Sequence, residues 1–300
     1  MPPQRADHPE HEIEDHDRGL EFDLQTLSRR GALAFMGTGL LALVGCSTAA
    51  KVALGASTTA TSPAGSATAG SPVAGSSTAA ATASGTSSAA QSYAEIPDET
   101  AGPFPGDGSN GPNALAMSGI VRSDIRSSFG ASSTTAKGVP LKVTLTLRDS
   151  VNSYKVLKGA AVYLWHCDRD GQYSMYSQNV SNENYLRGVQ ESDANGQVSF
   201  TTIFPGAYDG RWPHMHFEVY SNLANATAAG KIVATSQLAL PEEACAKVYA
   251  TSGYEQSVQN LGRSSLTSDM VFGDDGGIHQ LATMGGSVSS GYTASLTVAV

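Results

Sequence analysis

The chain has 300 residues, with 18 Lys and Arg against 27 Asp and Glu, a net charge of −9, and 40% hydrophobic residues. An acidic balance with no basic run and no interleaved aromatics excludes a nucleic-acid binder, because phosphate backbones would be repelled. The length suffices for a domain with a full core.

Arg29 and Arg30 precede an apolar run from Gly31 to Gly45, too short to span a bilayer comfortably. Residues 1–46 are therefore expected to be an export signal rather than a membrane helix. The arginine pair resembles the twin-arginine signals of the Tat route, and "LVGC" resembles a bacterial lipobox, which would make Cys46 the lipidated first residue of the mature protein. His8, His11 and His16 lie ahead of that cleavage point and are expected to be discarded. Residues 47–92 are almost wholly Ala, Ser, Thr and Gly, a flexible tether with a root-mean-square reach of roughly 35–40 Å. The expectation is an exported, extracytoplasmic domain whose membrane contact is the lipid alone. Removing residues 1–45 leaves 14 basic and 19 acidic residues, a net of −5.

Residues 93–300 show a period of two. "LKVTLTL" (141–147) places Leu141, Val143, Leu145 and Leu147 on one face, and "ASLTVAV" repeats this with Leu296, Val298 and Val300. Short runs at 161–166, 197–203, 215–219 and 232–240 are separated by the turn signals "RDG", "DANG", "PGAYDG" and "SNLAN". These predict an all-β sandwich of mainly antiparallel strands with one short helix near "PEEACAKVYA".

The stretch "PGAYDGRWPHMHFEV" (205–219) concentrates two of the 7 histidines with Tyr208 and Arg211. On a strand, His214 and His216 share a face while Met215, Phe217 and Val219 take the other. Two adjacent imidazoles are unfavourable to bury unless each finds a partner. Tyr208 sits in a Pro-Gly turn that can fold back toward them, and Tyr173 follows an Asp-Gly turn.

"VYLWHCDRDGQY", "DANGQVSFTTIFPGAYDGRWPHMHFEV" and "ATSQL" resemble the successive motifs of the intradiol ring-cleavage dioxygenases, the family of protocatechuate 3,4-dioxygenase and catechol 1,2-dioxygenase. "ETAGPF" (99–104) and "GIVRSD" (119–124) resemble that family too, so the likeness covers most of residues 95–240. It does not extend with assurance past Pro241. The resemblance implies a mononuclear, non-haem ferric ion held by Tyr173, Tyr208, His214 and His216, with Arg211 and Gln237 in catalytic positions and Tyr208 the ligand that yields to substrate. It implies cleavage of a catechol-type ring by O2 between its two hydroxyl carbons, giving a cis,cis-muconate-type product. The donor set suits the metal: ferric iron favours anionic oxygen, and imidazole completes the shell without adding charge. Substrate identity and oligomeric state stay open, a homo-oligomer among the options.

Rival readings are a sandwich that binds aromatics at a degenerate, non-catalytic metal site, and an iron(II) or cupin site using His214, His216 and Glu218. His166 is expected to pack or support the site from behind, His279 to lie in a loop, and Trp165 and Trp212 to pack. With Cys46 committed to lipid, Cys167 and Cys245 form an even pair outside the cytoplasm, and a Cys167–Cys245 disulfide is expected.

Overall fold

The computed structural model describes residues 93–300; the expected export signal, the expected lipidation at Cys46 and the expected linker lie outside the described residues. Nine strands and three helices follow: β1 (Pro140–Asp149), β2 (Lys155–Val156), β3 (Ala161–Trp165), β4 (Arg187–Glu191), β5 (Gln197–Ile203), β6 (His214–Tyr220), α1 (Leu223–Thr227), β7 (Ile232–Ala239), α2 (Glu242–Tyr249), α3 (Glu255–Leu261), β8 (Thr283–Ser287) and β9 (Gly291–Ala299). No helix among the described residues is long and apolar enough to cross a membrane.

The strands form two sheets. One has the order β4-β3-β6-β7, antiparallel throughout. In the other, β1 pairs with β5 and β2 on one side and with β9 on the other, and β8 flanks β9. The alternation in β1 places Leu141, Val143, Leu145 and Leu147 in the core, where they join Val162 and Leu164 of β3 and Met215, Phe217 and Val219 of β6. Burying these side chains, at about 1.5–3 kcal/mol each, holds the sandwich together.

The structure adds strands that periodicity does not reveal. β4, "RGVQE", carries a charge at each end, yet Arg187 is buried. Its guanidinium donates to the carbonyls of Phe104, Pro105 and Ser174 and to the Tyr163 and Ser174 hydroxyls, which draws residues 104–105 onto the sheet. β8 contains paired glycines and pairs with β9. The segment after Pro241 is integral: β9 lies parallel to β1 over eight register pairs, α2 matches the expected helix, and α1 and α3 are additional.

Two expectations meet different outcomes. Val298 is buried, whereas Leu296 and Val300 are only partly buried where they pack against the core. The Cys167–Cys245 disulfide is not formed: both cysteines are free and buried. Cys167, just past β3, donates its thiol to the Gly206 carbonyl at 3.4 Å, and Cys245, in α2, turns its thiol toward the Leu240 carbonyl one turn back at 3.9 Å. Burial pushes both thiols up, which keeps them protonated and inert.

Candidate metal centre

β6 begins where Pro213 ends the turn, so His214 and His216 leave the strand on the face opposite Met215 and Phe217. Two loops bring phenols to that face. Asp168 Oδ1 accepts from the Asp170 and Gln172 amides and shapes the turn leading into Tyr173. The Gly206 amide donates to the Asp168 carbonyl at 2.9 Å and locks the Tyr208 loop against this turn. The approach requires glycine on both sides: a Cβ on Gly171, whose φ is +77°, would lie 3.1 Å from Tyr208 Cβ, and one on Gly206 would collide with the Arg169 carbonyl.

The four polar tips close into a ring. Tyr208 Oη lies 3.0 Å from His214 Nε2, His214 Nε2 lies 3.1 Å from His216 Nε2, His216 Nε2 lies 3.2 Å from Tyr173 Oη, and the two phenol oxygens are 3.5 Å apart. Donors each about 2.1 Å from one cation stand about 3.0 Å apart at a right angle and about 3.4 Å apart at a tetrahedral angle. The ring therefore fits a single metal ion. His214 Nδ1 donates to the Trp212 carbonyl at 2.5 Å, which assigns the proton to that nitrogen and leaves the Nε2 lone pair facing the ring. His216 is held by stacking on Trp165, with ring centres 5.0 Å apart and 6° between planes.

The electrostatics of the ring ask for a cation. Burial pushes the Tyr173 phenol well up, and burial opposed by nearby Arg211 pushes Tyr208 up to about 12. Burial depresses both imidazoles well below their usual range, aided by Arg211 at His214 and by His214 at His216. Without a metal these are neutral phenols and neutral imidazoles; a bound cation inverts that preference for the phenols and ionises them.

Arg211 and Gln237 stand beside the ring. Arg211 Nη2 donates to Gln237 Oε1 at 2.7 Å, and its Nη1 is 3.5 Å from His214 Nε2. Gln237 faces His216 across the β6–β7 pairing and donates from Nε2 to the Thr100 carbonyl at 2.9 Å. Arg211 is no surface group: its Nε meets Asp269 Oδ2 at 2.9 Å in a buried ion pair. Asp269 was not among the expected site residues. It lies in the segment after Pro241, and its carboxylate also accepts from the amides of Trp212, Val271 and Phe272. The one local signal was an Asp ahead of three apolar residues, Met270, Val271 and Phe272, in a turn-rich stretch, which marks a cap and names no distant partner.

Glu218 stands apart from the ring. Its Oε2 accepts from the Tyr220 hydroxyl at 2.6 Å, and among the described residues no group of three or more His, Cys, Asp or Glu is placed to hold a metal. The two-histidine, one-carboxylate arrangement is thus not assembled. His166 is buried with Nε2 2.7 Å from the Thr202 hydroxyl, away from the ring, and His279 is exposed in a turn. Trp212 packs with Phe272 and donates to the Leu240 carbonyl.

Comparison with known proteins points the same way as the site. A family model described as "Dioxygenase" matches residues 131–225, a stretch holding Tyr173, Tyr208, His214 and His216. An intradiol ring-cleavage dioxygenase from Tetranychus urticae is 28% identical, with 69% of this chain and 94% of that one covered and a TM-score of 0.53. The chain is similar to the intradiol ring-cleavage dioxygenases. A second solved dioxygenase is 27% identical over 69% of this chain and 94% of its own, with a TM-score of 0.55. The dioxygenase domain of a carbohydrate-binding fusion from Streptomyces sp. SirexAA-E covers 69% of this chain and 98% of itself at 21% identity and a TM-score of 0.43, too distant to add weight. The family is generally Fe(III)-dependent, and the donor ring of two phenols and two imidazoles has the chemistry for that ion.

Proposed function

We propose that this dioxygenase cleaves a catechol-type ring between its two hydroxyl-bearing carbons, consuming O2 and yielding a cis,cis-muconate-type product. The observation that carries the reading is the closed ring of four donor atoms, with neighbouring contacts of 3.0–3.5 Å, drawn from two loops and one strand. Tyr173, Tyr208, His214 and His216 would hold ferric iron. The ion supplies Lewis acidity toward the catechol diol and primes the ring for attack by oxygen.

The chain's own groups do the rest. Tyr208 is only partly buried whereas Tyr173 is fully so, and the Tyr208 oxygen is the one suited to leave the ring and take a proton from an incoming diol. His214 is fixed by the Trp212 carbonyl and His216 by the Trp165 face, so both imidazoles hold their aim while the phenol moves. Arg211 presents a buried positive charge beside the ring, where negative charge develops on the aromatic substrate. Gln237 ties Arg211 to the segment that begins with Glu99 and Thr100. The address in the first 46 residues supports an exported enzyme anchored through Cys46.

The test is turnover of a panel of catechols by the iron-loaded protein, following oxygen uptake and identifying products. A muconate-type acid is expected. A yellow semialdehyde from cleavage beside the diol, or binding of catechols without oxygen uptake, would overturn the proposal.

A further inference from the structure

A cavity of about 760 Å³ lies next to the donor ring, and none of the four ring residues lines it. Gly102 belongs to its wall, and a Cβ there would stand 3.2 Å from His216 Cε1. β6 leads from His216 to Glu218 and Tyr220 on the same face, and both line the cavity. The lining carries four acidic side chains, from Asp98, Glu99, Asp107 and Glu218, with burial pushing the Glu218 carboxyl up to about 8 and the Glu99 carboxyl up to about 7, and no Lys, Arg or His among the described residues.

Glu218 sets this cavity apart from an ordinary acidic surface. The residue is fully buried; Oε2 accepts from Tyr220, but Oε1 has no partner. Buried polar atoms are nearly always satisfied, so an orphaned carboxyl oxygen on a cavity wall calls for a ligand donor. The other carboxylates are held in place: Asp98 accepts from the Thr235 amide, Glu99 from Gln280 and Asp107 from Ser109.

The occupant's chemistry follows from the layout. A calcium or magnesium ion needs several oxygens converging at about 2.0–2.6 Å, and no three acidic groups among the described residues converge so. Carboxylates spread around a roomy space suit a molecule whose N–H donors and positive charge are carried on an organic body. The volume falls within the range of small-molecule pockets, roughly 300–1,000 Å³, and Pro105 and Ile232 supply apolar wall.

We propose that this cavity binds a small organic ammonium ion, with Glu218 Oε1 accepting one of its N–H bonds and Asp107, on the same wall, supporting it. The site is independent of iron, since no lining residue belongs to the donor ring. The experiment is calorimetric titration of the full chain, iron-free and iron-loaded, with phenethylammonium, using 2-phenylethanol and phenylacetate as neutral and anionic molecules of similar size. Phenethylammonium is expected to bind at least tenfold more tightly than either, in both forms of the protein. Glu218→Gln is expected to weaken it tenfold or more, and Asp107→Asn severalfold. If Glu218→Gln fails to fold, Asp107→Asn carries the test. Failure of the ammonium ion to bind, equal binding of all three probes, wild-type affinity in the variants that fold, or binding that requires iron would overturn the proposal. Because iron-free protein is measured separately, this result is read independently of ring cleavage.

Discussion

Asp269→Asn isolates the role of a residue that no motif announces. The carboxylate has two oxygens serving two pairs of donors: Oδ2 faces Arg211 Nε at 2.9 Å and the Trp212 amide at 2.6 Å, while Oδ1 faces the Val271 and Phe272 amides at 2.9 and 3.1 Å. An asparagine can present its carbonyl to one pair, but its NH2 then confronts the other pair, donor against donor. The Asp269 side chain is fully buried and that of Arg211 is 10% exposed, so solvent cannot replace the lost charge. Breaking a buried pair by removing one partner typically costs about 3–5 kcal/mol. Asparagine keeps shape and half the hydrogen bonds, so about 3 kcal/mol is expected, a fall in Tm of roughly 6–12 °C for a domain of this size. Thermal unfolding of iron-free protein measures this. In the iron-loaded enzyme the same change is expected to lower kcat more than it raises KM, because Arg211 keeps its link to Gln237 but loses its anchor. Asp269→Glu, which retains the charge, should recover part of both effects. A Tm within about 2 °C of wild type, or a loss of stability with unchanged kcat, would refute the view that Asp269 holds Arg211 in place.

Iron-loaded wild type is expected to absorb visible light through its tyrosinates, with Tyr208→Phe shifting the band and His214→Ala reducing iron retention on dialysis; a colourless loaded protein would contradict the ligand assignment. Titration of unfolded, unreduced residues 93–300 should find two thiols, Cys167 and Cys245, whereas none would show that a disulfide forms after all. Burial holds His166 at about 4 against 6.5 in the unfolded chain, so the unfolded state binds more protons between these values. Stability should therefore rise with pH across that window and be lost toward acid by about 3 kcal/mol; stability-against-pH curves should be flatter in His166→Gln, and an unchanged slope would count against the argument. Cys46→Ser should move the protein from the membrane fraction to the soluble one, and wild type that takes up no fatty acid would show the address to be misread.

Local chemistry made much of this enzyme legible in advance. Alternation in residues 141–147 specifies a half-buried strand, because successive side chains must leave opposite faces. The same parity places His214 and His216 together and Met215 and Phe217 in the core, without reference to any neighbour. Other features depend on residues far apart in the chain. β4 reads as polar, and its place in the sheet rests on Arg187 finding carbonyls at Phe104 and Pro105, more than 80 positions earlier. The even cysteine count suggested a bond, but pairing requires approach and orientation, and Cys167 and Cys245 direct their thiols to separate backbone carbonyls. Asp269 reaches Arg211 across 58 positions, and the cavity that Glu218 lines takes much of its wall from residues 98–109, far earlier in the chain. A side chain's period is written along the chain, whereas its partners depend on which distant segment the packed sheets bring within reach.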